Sequence, residues 1–188
     1  MNLLDRLTKF LLPVCAVTYL VLTFVRPPLP DVSRILPAVR TGEPVQTATA
    51  ANPFERRFGE YTYTLTPHAD YELYGLVVSE YDAQNWIDYA HRNDPANTKD
   101  LCVVWGKNIT TGAYQKVSYR SGEFTCFYHW DRPLNPPFAD DALANSHLIP
   151  ASPELARVIK SANVGDQVYL RGQLVDSPGY MANYAAPR

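Results

Sequence analysis

Charge is scarce in this sequence. Lys and Arg number 17 and Asp and Glu 19, so charged side chains make up only 19% of 188 residues. No lysine- or arginine-rich run occurs. Residues 1–58 hold seven of the basic and four of the acidic side chains, a local +3; the remainder carries ten basic against fifteen acidic, a local −5. An acidic segment without a basic patch repels a phosphate backbone, so nucleic acid is excluded as a partner.

The short spacings that announce chemistry are missing as well. There is no CxxC, no HxxxH, no GxSxG and no glycine-rich phosphate loop. His68, His91, His129 and His147 have no metal-site spacing. Asp140–Asp141 reads as a solvated loop pair. The expectation is no metal, no cofactor and no catalytic residue that local sequence can name. A dispersed His/Asp site, drawn from His91, His129, His147, Asp88 and Asp131, stays open as the enzymatic alternative.

Cysteine is limited to Cys15, Cys102 and Cys126. Cys15 falls in an apolar run. Cys102 and Cys126 fall in two expected strands, where they form either a disulfide or two buried thiols. A bridge there would stabilise by about 3 kcal/mol in the chain-entropy model.

One long apolar run is present. Phe10 to Val25 has 16 residues without a charge, bounded by Lys9 and Arg26. As a helix it spans roughly 24 Å, somewhat under the hydrocarbon thickness of about 30 Å. Leu3, Leu4 and Leu7 extend it, and Lys9 and Arg26 can snorkel. A cleaved signal peptide is the rival, but Arg26-Pro27-Pro28 is a poor cleavage context. Residues 1–26 are therefore expected to be a retained single-pass anchor in the lipid bilayer, N-terminus inside and C-terminal domain outside. Arg26, Arg34 and Arg40 after the run do not favour that orientation by charge count.

Six prolines between 27 and 58 predict a semi-extended, disordered tether. From residue 59 to 176 the pattern becomes mainly β. Tyr61–Leu65 and Tyr71–Glu80 read as strands, with Gly75 marking a bend, a bulge or a close backbone contact. Asp82 opens an expected helix through Trp86, Ile87 and Ala90. Leu101–Gly106 reads as a buried strand, and Tyr114–Arg120 with Phe124–Trp130 as a hairpin. Ser152-Pro153-Glu154 is a helix start, and Gln167–Asp176 a last strand. Residues 177–188 have no strand pattern.

Leu73-Tyr74-Gly75-Leu76-Val77-Val78 and Leu170-Arg171-Gly172-Gln173-Leu174-Val175 share L-x-G-x-[LV]-V, a match too short for a repeat. VGDQVYLRGQLV resembles a strand of many OB-fold proteins, which implies an α+β fold around a small OB-like or partly open β-barrel with two short helices. Four segments, YELYGLVVS, DLCVVWGKN, FTCFYHW and VGDQVYLRGQLV, resemble an uncharacterised bacterial family of single-pass membrane proteins. That resemblance covers roughly Asp70 to Asp176 and implies an inner-membrane setting, with no activity attached.

Aromatics supply 12% of the chain, 13 of them tyrosine. Most are expected in the core. Trp86, Tyr89 and His91 on the expected helix, with Tyr128 and Trp130 at a strand end, are the candidate surface for a protein, glycan or cell-wall partner. The function expected is a non-enzymatic binding or assembly module, with an OB-like peptide or glycan binder as a further alternative.

Overall fold

The computed structural model describes residues 3–24, 28–85, 94–122 and 124–176, with side chains from Leu7 to Thr18 in the first segment. The chain is mainly β with four helices among these residues. Helix α1 (Leu3–Phe24) comes first. Then follow α2 (Pro37–Thr41), β1 (Val45–Ala48), β2 (Phe54–Phe58), β3 (Tyr61–Tyr81), β4 (Lys99–Val104), α3 (Lys107–Thr110), β5 (Ser118–Gly122), β6 (Thr125–His129), β7 (Leu143–Leu148), α4 (Pro153–Ser161) and β8 (Gln167–Asp176). Among the described residues, no helix is long and apolar enough to cross a membrane.

Strand β3 is the spine. The two segments expected as separate strands are one strand of 21 residues. Pro67 lies between them and cannot donate to a ladder. The register with β8 shifts between Pro67 and Ala69, setting His68 out of step, which is how a proline is accommodated inside a strand. Residues 69–72 pair with β1 and also with β8, so those two flank β3 on opposite edges. Leu76 likewise meets Val104 of β4 and Gln167 of β8. β2 returns into β3 through the turn Gly59–Glu60, with Gly59 at φ +60°. β7 pairs with β4, completing a six-stranded antiparallel sheet. The sheet is open, because the last strand pairs with the middle of β3 and no ladder closes a barrel.

The two segments that share L-x-G-x-[LV]-V are neighbours, with Leu73 directly opposite Leu170, Gly75 opposite Val168 and Gly172 opposite Tyr71. A Cβ on Gly75 would come within 3.1 Å of the Val103 Cβ, so this glycine lets β3 lie close to a β-branched neighbour. Gly172 has open space around it.

Every residue of β4 is buried. Its continuous apolar run follows from cover on both faces. Cys102 and Val104 join Leu76, Val78, Ile109, Tyr114 and Cys126 on one side. Leu101, Val103 and Trp105 join Leu73, Val77 and Ala142 on the other. A third cluster, around Tyr63, Leu65 and Ala96, lies near the β2–β3 turn.

The stretch expected as a tether is folded. Ile35 and Val39 belong to the first core cluster, at 2% and 1% exposure. Pro37 opens α2, a position where its missing N–H costs nothing. The Gln167 amide accepts from Leu36 N–H and donates to the Arg34 carbonyl. Tyr114 donates its hydroxyl to the Pro30 carbonyl. Proline density ruled out long elements, but not short ones docked on a core. The helix start was legible: Ser152 Oγ accepts from Leu155 N–H at 3.2 Å, with Pro153 at the first turn. The helix expected after Asp82 and the tail 177–188 lie outside the described residues.

Gly75→Val is expected to lower stability by about 2–3 kcal/mol through overpacking against Val103. Gly172→Ala should stay within about 0.5 kcal/mol. Denaturant unfolding of the two variants in parallel checks this, and equal losses would contradict the close-approach role of Gly75.

Candidate functional site

The polar start of β4 is buried. Asn97, Thr98, Lys99 and Asp100 are at most 6% exposed. Lys99 reaches one side of the sheet. Its ammonium donates to the carbonyls of Lys160 and Ala162, at 3.3 and 2.6 Å, and pairs with Glu80 at 3.0 Å. A cation at these last carbonyls of α4 complements the helix dipole and ties α4 to the sheet.

Asp100 turns to the other side. It sits directly opposite His147 in the β4–β7 ladder. Its Oδ1 lies 2.8 Å from His147 Nδ1 and accepts from Asn97 Nδ2 at 3.1 Å. The His147 ring also donates to the backbone carbonyl of Phe124. The Asp100 hydrogen bond is the main reason that His147 titrates above its ordinary value; desolvation opposes it, and the Asp100 charge, the Phe124 carbonyl and the Asp94 charge reinforce it. Phe124 stands at the tip of the β5–β6 hairpin at φ +60°, its ring 6.0 Å from the imidazole.

Two further links fasten the same hairpin. Cys102 and Cys126 are joined by a disulfide, with Cα atoms 5.8 Å apart. Ser121 N–H donates to the buried Ser79 Oγ at 2.7 Å. Beneath the hairpin, Asp100 Oδ2, Ser121 Oγ and both side-chain polar atoms of Asn145 are buried without a hydrogen-bond partner. While the imidazole is protonated, its contacts with Asp100 and Phe124 tie the hairpin to the sheet.

Of the residues singled out in the sequence, His147 belongs to this contact, while Tyr128, Trp130, His129 and Asp131 lie elsewhere. Trp86, Asp88, Tyr89 and His91 lie outside the described residues. Tyr128 and Trp130 stack at 6.1 Å and both pack on Phe138, half-buried against the first core cluster. The Tyr128 hydroxyl donates to Asp140 at 3.0 Å. These two aromatics seal the edge of the core more than they offer a platform. His129 and Asp131 approach to 3.3 Å in the open, at the end of β6 away from Phe124. Among the described residues, no group of three or more His, Cys, Asp or Glu is placed to hold a metal ion.

Two surfaces had escaped notice. The first is a ladder between β3 and β8, where directly opposed residues pair by chemistry. Gln173 donates to Asp70 at 3.0 Å, Arg171 meets Glu72 at 3.3 Å, and Tyr74 stacks on Tyr169 at 4.4 Å. The Tyr169 hydroxyl donates to Glu72, which raises its titration above the usual phenol range. The alternation Tyr169, Arg171, Gln173 carried that signal in the sequence. The second is a recess of about 360 Å³ between β2, the loop before β4 and α4. Its cations are about a hundred residues apart in sequence, and no local pattern unites them.

No family model matches the chain, and neither the curated proteins nor the solved structures include a significant match to it.

The latch has a testable pH dependence. A histidine raised in the folded state adds stability that is fully present below its unfolded value, near 6.5, and is lost as pH rises through the higher folded value. With the imidazole 42% exposed, solvent screening limits the gain to about 1 kcal/mol. Melting temperature should therefore fall as pH rises from about 6.5 through the higher folded value, and His147→Gln should flatten that part of the profile. A profile unchanged by the substitution would show that other groups set it.

Proposed function

We propose that this chain is a membrane-tethered, non-catalytic binding or assembly module working in an oxidising compartment outside the cytoplasm. The observation that carries this reading is the Cys102–Cys126 bridge inside the domain core. Structural disulfides persist in oxidising compartments and are rare in the cytosol. The membrane part rests on α1. All of its described side chains, Leu7 to Thr18, are exposed, including Phe10 at 70% and Leu12 at 65%. Apolar side chains displayed along a helix call for a lipid or protein environment. The apolar sequence run continues beyond those side chains to Val25. A bacterial inner membrane, with the N-terminus inside, accords with the family resemblance of four segments.

Binding rather than catalysis is favoured because the contact between buried Asp100 and the part-exposed imidazole of His147 helps to hold a hairpin. The β3–β8 ladder meanwhile presents ordered aromatic, acidic, basic and amide groups side by side. That is the equipment of a surface which recognises a polar partner such as a peptide or a glycan.

In cells, Cys102 and Cys126 should resist alkylation until a reductant is added, and a cysteine introduced at exposed Arg171 should react with a membrane-impermeant maleimide. Free thiols at both positions, with Arg171→Cys labelled only after permeabilisation, would sink the assignment. Replacing both bridge cysteines by serine should cost about 2–4 kcal/mol in unfolding experiments.

A further inference from the structure

We infer that the recess between β2 and α4 is a binding site for a phosphate group carried on a small organic body. Its described lining brings Arg56 and Arg57 from β2 together with Lys160 from α4, and includes no carboxylate. A lining with cations and no carboxylate favours an anionic ligand. The surrounding carboxylates are engaged elsewhere. Glu154 meets Arg157 at 3.2 Å, Asp94 accepts from the Tyr63 hydroxyl at 2.9 Å, and Asp82 accepts from Gln84 N–H at 2.9 Å.

The cations keep donors free for a ligand. The Arg56 guanidinium lies over the Phe54 ring at 5.6 Å, a contact that orients the group and leaves its N–H fork available. Arg57 commits its Nε to the Gly59 carbonyl at 3.0 Å and retains its terminal nitrogens. Lys160 forms no ion pair among the described residues. An arginine fork and an ammonium form charge-assisted bonds to phosphate oxygens. The rest of the wall is apolar or uncharged, with Phe58, Pro95, Pro150, Pro153 and Ala156 prominent. Prolines hold such a wall rigid, so little is lost in ordering it on binding. About 360 Å³ is small for a ligand pocket, which fits a phosphate with a short organic portion and not a long chain. The N-terminus of α4 is already served by Ser152 and plays no part in this assignment.

The same phosphate chemistry occurs on soluble phosphate esters and on anionic phospholipid headgroups. The full chain, carried in nanodiscs of phosphatidylcholine, separates these sources. Titration with inorganic phosphate and with glycerol phosphate, read by calorimetry and by amide-exchange protection of 56–58 and 152–156, should show saturable binding if the ligand is soluble. Nanodiscs containing phosphatidylglycerol should instead protect those amides without added phosphate if the headgroup is the ligand. In either arm, Arg56→Gln with Lys160→Gln should weaken the effect at least about tenfold, while Lys160→Arg retains it. Circular dichroism of the variants controls for folding. Absence of binding in every arm, or binding indifferent to Arg56→Gln with Lys160→Gln in folded protein, overturns the inference.

Discussion

Everything in this fold depends on keeping β3 paired. Twenty-one extended residues present a donor and an acceptor at nearly every position, and those groups must find partners where they are buried. Among the described residues, no other strand exceeds ten. One partner cannot cover such a length, so β2, β1, β4 and β8 share it in turn. The two register shifts, at Pro67/Ala69 and Val77/Ser79, fall where pairing passes from one set of neighbours to the next. At the end of β3, where β4 and then β7 continue the sheet outward, β4 is buried along its whole length. There the buried clusters on the two faces meet back to back through β4.

That geometry explains why the β5–β6 hairpin needs fasteners. It belongs to a separate two-stranded sheet and receives no ladder from the main one. A two-stranded hairpin alone is marginal in water. Three links of different chemistry hold it down: the Cys102–Cys126 bond, the Ser79–Ser121 hydrogen bond, and the Asp100–His147 contact reaching the Phe124 carbonyl. The first is insensitive to pH, and the last weakens as the imidazole loses its proton. The orphaned polar atoms of Asn145 and Ser121 lie in this same seam, the least satisfied part of the interior.

Where the sequence could be read, local chemistry and tertiary need agreed. The Ser152-Pro153-Glu154 start of α4 was legible from its capping chemistry, and the apolar run of β4 because burial on both faces demands one. The reading broke where tertiary context overrode a local signal. The strands expected at Tyr61–Leu65 and Tyr71–Glu80 proved to be one, with a bulge at His68 beside Pro67. Proline density around residues 27–58 looked like disorder, yet Val39 fills the core from a helix of five residues and Ile35 from the turn just before it. Of the candidate sites, the cysteine pair was visible as two cysteines on expected strands. The Asp100–His147 pair was not, since 47 residues separate them and only the β4–β7 register places them opposite each other. Arg56 and Lys160 escaped for the same reason.

Folding of the proline segment also changes the proposed membrane geometry. A coil from 27 to 58 would let the domain roam on the order of 30 Å from the helix end. With Pro30 bonded to Tyr114 and Ile35 in the core, the chain is docked on the domain six residues after the end of α1. Even fully extended, six residues reach roughly 20 Å. If α1 lies in lipid, the domain is confined to a layer comparable to a few headgroup diameters above it. A partner would then have to approach along the membrane surface, and a phosphate-binding recess on such a domain would meet headgroups at high effective concentration without any tight intrinsic affinity.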